Sequence, residues 1–100
     1  MKLRFGLPFC GLLAFAAAAF ATDIGPDAAR RLRQQGAILP LADIVDGLTA
    51  ERPGRVLETE LERDDGRYVY EIELLGDDGH VYEFEIDAAT GRRLEVERER

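Results

Sequence analysis

Between Tyr68 and Val96 apolar and charged residues alternate almost without a break: Y-V-Y-E-I-E-L-L-G-D-D-G-H-V-Y-E-F-E-I-D-A-A-T-G-R-R-L-E-V. A period of two belongs to a β-strand with one face on a core and the other in water. Two Gly-containing turns divide this stretch into three strands, and a fourth of the same kind precedes it. The spacing predicts strands over residues 55–63, 67–75, 80–87 and 92–99. Register is strongly specified, because a slip of one residue would bury the glutamates.

Parity assigns the two faces. Leu57, Thr59, Leu61, Tyr68, Tyr70, Ile72, Leu74, Tyr82, Phe84, Ile86, Leu94 and Val96 fall on the core side. Val56, Val69, Val81 and Arg93 fall with the glutamates on the other. Asp64-Asp65-Gly66 and Asp77-Asp78-Gly79 read as short hairpin loops, with glycine available for the left-handed position. Asp87-Ala88-Ala89-Thr90-Gly91 is a longer one, its aspartate placed to bond the turn backbone. With every connection this short, an antiparallel meander is the expected topology.

Two helices are expected ahead of the sheet. Pro26 suits a first helical turn, Asp27 follows it, Arg30, Arg31 and Arg33 gather toward the other end, and Gly36 stops it. This helix, residues 26–35, offers only Ala28, Ala29 and Leu32 to a core and is expected to dock loosely. Thr22 to Gly25 reads as a frayed end. The second helix, from Pro40 to near Ala50, carries Leu41, Ile44, Val45 and Leu48 as one stripe. Gly47 costs it about 1 kcal/mol relative to alanine, so packing must hold it. Arg52-Pro53-Gly54 ends it. The fold class is therefore α+β: one amphipathic helix on a four-stranded antiparallel meander, with a short extra N-terminal helix.

The first residues read as a delivery signal. Lys2 and Arg4 precede an apolar run to Phe20, closed by the small-x-small Ala19-Phe20-Ala21. That pattern predicts a secretory signal peptide, residues 1–21, cut after Ala21. The run is about 16 residues where a bilayer span needs about 20, and Pro8 and Gly11 interrupt it. Large Phe9 before Cys10 does not fit a lipidation signal, so no stable membrane anchor is expected. Removing 21 residues leaves 79 of the 100, without cysteine, as a linker helix (residues 22–36) and one small domain (residues 37–100). A periplasmic or secreted location follows. The remaining chain holds 11 arginines and no lysine against 20 acidic residues, a net charge of about −9. Nucleic acid and anionic lipid repel such a surface, while basic or metal-bearing partners suit it.

Reactive constellations are hard to find. His80 is the only histidine, and one imidazole without a cysteine cannot assemble a transition-metal site of the usual kind. It reads as a hairpin residue. The two Asp-Asp-Gly turns lack the spaced acids of a calcium loop. After residue 21 the chain has no serine or cysteine, and its threonines have no partnered base. No catalytic residue, cofactor or dedicated metal site is expected.

The glutamate face is the one constellation above background. By parity Glu58, Glu60, Glu62, Glu71, Glu73, Glu83, Glu85, Glu95 and Glu97 project together. Like charges directly opposite across strands destabilise by roughly 0.2–1 kcal/mol each, with Arg55, Arg63, Arg67 and Arg93 as the expected relief. Glu58, Glu60, Glu71, Glu73, Glu83, Glu85 and Glu95 are the candidate partner-binding residues, for a basic protein surface or loosely held divalent cations. A solvated face without a role explains the same residues. The terminal Glu97-Arg98-Glu99-Arg100 discourages edge pairing, which favours a monomer.

The order of these pieces resembles a known family. A helix beginning I-L-P-L-A-D-I-V, a P-G break, V-L-E-T-E-L-E, D-D-G-R-Y-V-Y-E-I-E-L and V-Y-E-F-E-I-D-A-A-T-G-R-R-L-E-V together resemble the PepSY domain, over Ile38 to Glu97. The resemblance implies a helix on an antiparallel sheet in an exported protein that inhibits or regulates a peptidase. It implies, as an alternative, modulation of an envelope sensor. It brings no enzymatic activity and no catalytic residue. No peptidase domain follows in this sequence, so the expected target is met in trans.

Overall fold

A computed structural model describes residues 21–100. Apart from Ala21, the expected signal peptide lies outside the described residues. The chain runs β1 (Ala21–Asp23), α1 (Pro26–Gln34), α2 (Leu41–Glu51), β2 (Gly54–Asp64), β3 (Arg67–Gly76), β4 (Val81–Asp87) and β5 (Arg93–Arg98). The strands form one antiparallel sheet in sequence order. The α+β meander is as expected, but it has five strands rather than four. Residues read as a frayed end instead pair with β2, Thr22 opposite Arg63 and Asp23 opposite Glu62. Three residues are too few for periodicity to reveal.

Local chemistry sets the punctuation. Asp65 and Gly66 both adopt positive φ, 56° and 79°, the two-residue turn that matches strand twist. Asp87 Oδ1 accepts the Ala89 and Thr90 N–H groups at 2.8 and 3.1 Å, and Gly91 takes φ 81°. At the close of α1, Ala37 N–H donates to Leu32 and Gly36 N–H to Arg33, with Gly36 at φ 77°. That is the paired C-terminal cap a glycine permits. Gly54 is needed for a different reason: a Cβ there would sit 2.4 Å from the Leu75 carbonyl oxygen.

The core lies between the sheet and α2. Ile72 and Leu74 are 0% exposed and Phe84 1%; burying each such side chain stabilises by about 1.5–3 kcal/mol. From α2, Ile44 and Leu48 are buried, and Leu41 and Val45 pack beside them. α1 buries no residue fully and contributes only Ala29 and Leu32, the thin face expected of it. Its connection to α2 is tied down. Leu39 N–H donates to the Ala88 carbonyl at 2.8 Å, and the buried Tyr70 hydroxyl donates to the Leu39 carbonyl at 2.8 Å.

Two β-bulges overturn part of the parity assignment. In β2, Val56 pairs with Leu74 but Glu58 pairs with Glu73, leaving Leu57 as an extra residue. Val56 therefore turns toward the core and Leu57 is 42% exposed. In β5, Glu95 pairs with Glu85 but Arg93 with Ile86, so Leu94 is the extra residue. Arg93 reaches over Phe84, 5.6 Å from the ring centroid, to an ion pair with Glu51 of α2. Leu94 is displaced to the glutamate side, and Val96, on the uncovered edge, is 41% exposed. A bulge sets two residues against one, which alternation alone does not register.

Candidate functional site

The pairing register assembles the glutamates into two rows across four strands. Glu58, Glu73, Glu83 and Glu97 are successive cross-strand neighbours, as are Glu60, Glu71, Glu85 and Glu95. All seven candidate residues, Glu58, Glu60, Glu71, Glu73, Glu83, Glu85 and Glu95, thus share one face. Glu58, Glu60, Glu71, Glu73 and Glu83 wall a shallow depression of about 220 Å³.

The rows have partly apolar ends. Val69 and Val81, expected in water, are only 4% and 7% exposed. Val69 and Leu94 line one recess with Glu85, Arg67 and Asp64. At the other end Leu75 pairs with Val81. Enclosure by these side chains and by neighbouring glutamates explains the electrostatics. Glu71 is pushed up to about 7, first by desolvation, then by Glu62, Glu85 and Glu60. Desolvation also raises Glu62 and Glu85. A hydrogen bond to Glu83 raises Glu99, which the sequence did not single out. At neutral pH Glu71 therefore keeps its proton part of the time.

The arginines expected to relieve the repulsion mostly do not. Arg93 is taken by Glu51, Arg63 lies 5.9 Å over the Tyr68 ring, and Arg67 pairs with Asp87 at 3.7 Å. Register places Arg55 in the row of Leu75 and Val81, beside the glutamates rather than between them. Among the described residues, none of the eight row glutamates has an ion-pair partner.

Strand β1 adds an acid that sequence reasoning missed. It sets Asp23 beside Glu62, and carboxylate oxygens of Asp23, Glu60 and Glu62 lie within 4.8 Å of one another. No signal in the sequence foretells this, because β1 is three residues long and its partner is distant in sequence. His80 sits in the β3–β4 turn, its N–H donating to Asp78 Oδ1 at 3.0 Å. Dense carboxylates on an open sheet can attract cations and basic surfaces.

Residues 38–97 match the model of the family described as "PepSY: Peptidase propeptide and YPEB domain". A 44-residue stretch is 46% identical to the "Uncharacterized protein YkoJ" of Bacillus subtilis (strain 168). That stretch is 44% of this chain and 26% of the relative, so the likeness spans about a quarter of that protein's length. No solved structure matches the chain.

Proposed function

This chain belongs to the PepSY family, and on that premise we propose that it is an exported, non-catalytic binding protein that restrains a peptidase. Docking would place its glutamate face on a basic surface of the enzyme, met in trans in the cell envelope. The observation that carries this reading is the pair of four-carboxylate rows without ion-pair partners among the described residues. A sequence shaped for stability alone would have interleaved lysines there, since like charges opposite one another are unfavourable. The peptidase class enters through the family, whose description names a peptidase propeptide.

The test is stoichiometric addition of the purified protein to exported metallopeptidases, beside a variant with Glu71, Glu73, Glu83 and Glu85 changed to Gln. Inhibition should saturate near equimolar ratio, weaken as salt screens the contact, and fall at least tenfold in the variant. Equal potency of the variant overturns the docking face, and inertness against every enzyme overturns the peptidase.

A second reading has one observation in its favour. The Asp23, Glu60 and Glu62 carboxylates are close enough to share a divalent cation. Millimolar calcium at low ionic strength would then raise the melting temperature, and Asp23→Asn would abolish the rise. An unmoved melting temperature removes this reading.

A further inference from the structure

The glutamate rows end at a sheet edge that the described residues leave open. β1 covers only Glu62, Arg63 and Asp64 of β2. The Ile24 N–H then donates to the Leu61 carbonyl at 2.8 Å, so Leu61 turns its backbone groups to the outer edge. In a regular antiparallel strand Thr59, two residues back, does the same. The register pairing Thr22 with Arg63 and Asp23 with Glu62 would bring Pro26 opposite Thr59. Proline has no N–H to offer, and Pro26 already begins α1. Among the described residues the edge is uncovered because Gly25-Pro26 turns the chain away into α1.

Beside that edge, on the core side, lies a groove of about 440 Å³. Ile24, Ala29, Leu41, Leu61 and Tyr70 form its apolar walls, and Asp23, Glu60 and Arg33 are the charged residues of its lining. On the other side of the strand stand Glu58 and Glu60, the first members of the two rows.

We propose that the open edge of β2, centred on Thr59, accepts an extended segment of a partner protein whose residues alternate basic and apolar. Such a segment would continue the line of β1 by strand addition, its main chain bonding Thr59. Alternate side chains would point to opposite faces. Those beside Glu58 and Glu60 extend a row of carboxylates, where a cation is favourable and an anion is not. The one opposite Thr59 enters the groove, where the side chains of Ile24, Ala29, Leu41 and Leu61 favour an apolar residue. A second copy of this chain is a poor occupant: β2 and β5 would both bring glutamates to the rows. Both edge strands carry a bulge: in β2 it lies at Leu57 and bounds the site beyond Thr59, whereas in β5 the bulge at Leu94 and the Arg93–Glu51 pair interrupt the strand itself.

The proposal rests on reading the chain as a binding module, but not on the partner being a peptidase. Its test is titration of the peptide acetyl-(Lys-Val)4-amide into the purified, nitrogen-15-labelled protein at low salt, followed by amide spectra. Saturable shifts are expected at Thr59 and Leu61, with slowed exchange of the Thr59 amide. The matching (Glu-Val)4 peptide should bind at least tenfold more weakly. N-methylation along one edge of the Lys-Val peptide should abolish binding, and along the other edge leave it intact. Thr59→Pro should weaken binding at least tenfold without moving the melting temperature, because that N–H lies outside the ladder to β3. Shifts confined to β3 and β4, equal binding of both N-methylated peptides, or no binding would each overturn the edge. Peptidase inhibition that survives Thr59→Pro leaves the peptidase reading standing alone, and Lys-Val binding without inhibition of any enzyme leaves the edge standing alone.

Discussion

Strands β3 and β4 carry two unlike surfaces one residue apart. Ile72 faces Phe84 on one side, and Glu71 faces Glu85 on the other. The backbone hydrogen bonds are shared, so the side chains alone set the difference. Each buried apolar side chain stabilises by about 1.5–3 kcal/mol, whereas each facing pair of like charges costs roughly 0.2–1 kcal/mol. The core face therefore decides the fold, and it leaves a margin that the open face draws down. The glutamates are held in place by a sheet that would be more stable without them.

That asymmetry can be broken from the core side. Phe84→Ala should destabilise by about 3–5 kcal/mol, seen as an early urea midpoint or the loss of a cooperative transition in a core this small. The neighbouring Glu85→Ala should shift the midpoint by less than a quarter as much, and toward greater stability at pH 8. Equal losses at the two positions would mean that both faces bear on a core.

The open face responds to protons, and the sign is set by Glu71. Its folded-state pKa is raised from 4.5 to about 7, so between those values the folded chain binds more protons than the unfolded one. Stability is then greatest below pH 4.5 as far as this group is concerned, and it is lost as pH rises toward 7. The raised pKa values of Glu62 and Glu85 act in the same direction. Glu71→Gln should accordingly raise stability at pH 8 by about 1 kcal/mol, after allowance for solvent screening, and change nothing at pH 4. Urea midpoints of both proteins across pH 4–8 measure this. Parallel curves would show that Glu71 titrates as an ordinary surface carboxylate.

The sequence was most informative where one signal covered many residues. Alternation placed Tyr70, Ile72, Leu74, Phe84 and Ile86 in the core and the seven candidate glutamates on one face. The 3.6-residue stripe of α2 foretold Ile44 and Leu48. It was least informative where geometry departs from periodicity by a single step. β1 is three residues long and held by a partner some 40 positions away, so nothing local marks it, and Asp23 was lost with it. Ala88 is 0% exposed because it is bridged by Tyr68 and Leu39, whereas in the sequence it is one alanine of a turn. The bulges exchanged Leu57 with Val56 and Leu94 with Arg93. Only the last has a visible cause, the reach of Arg93 across Phe84 to Glu51.

The smallest effect is the sharpest test of those bulges. Uninterrupted alternation would put Leu57 beside Thr59 and Leu61 in the core, and Leu57→Ser would then cost as much as a core leucine loses, about 2–5 kcal/mol. With the bulge, Leu57 is 42% exposed while Leu61 is 8% exposed, and Leu57→Ser should stay within about 0.5 kcal/mol. The urea midpoint discriminates between the two without any knowledge of the partner. A large loss at Leu57 would return Val56 to the glutamate side and shift the start of β2 by one residue. The break falls between Val56 and Glu58, so Glu58 and Glu60 would keep their places in the rows. What would change is the beginning of the open edge, where Leu57 would face the groove side instead of water.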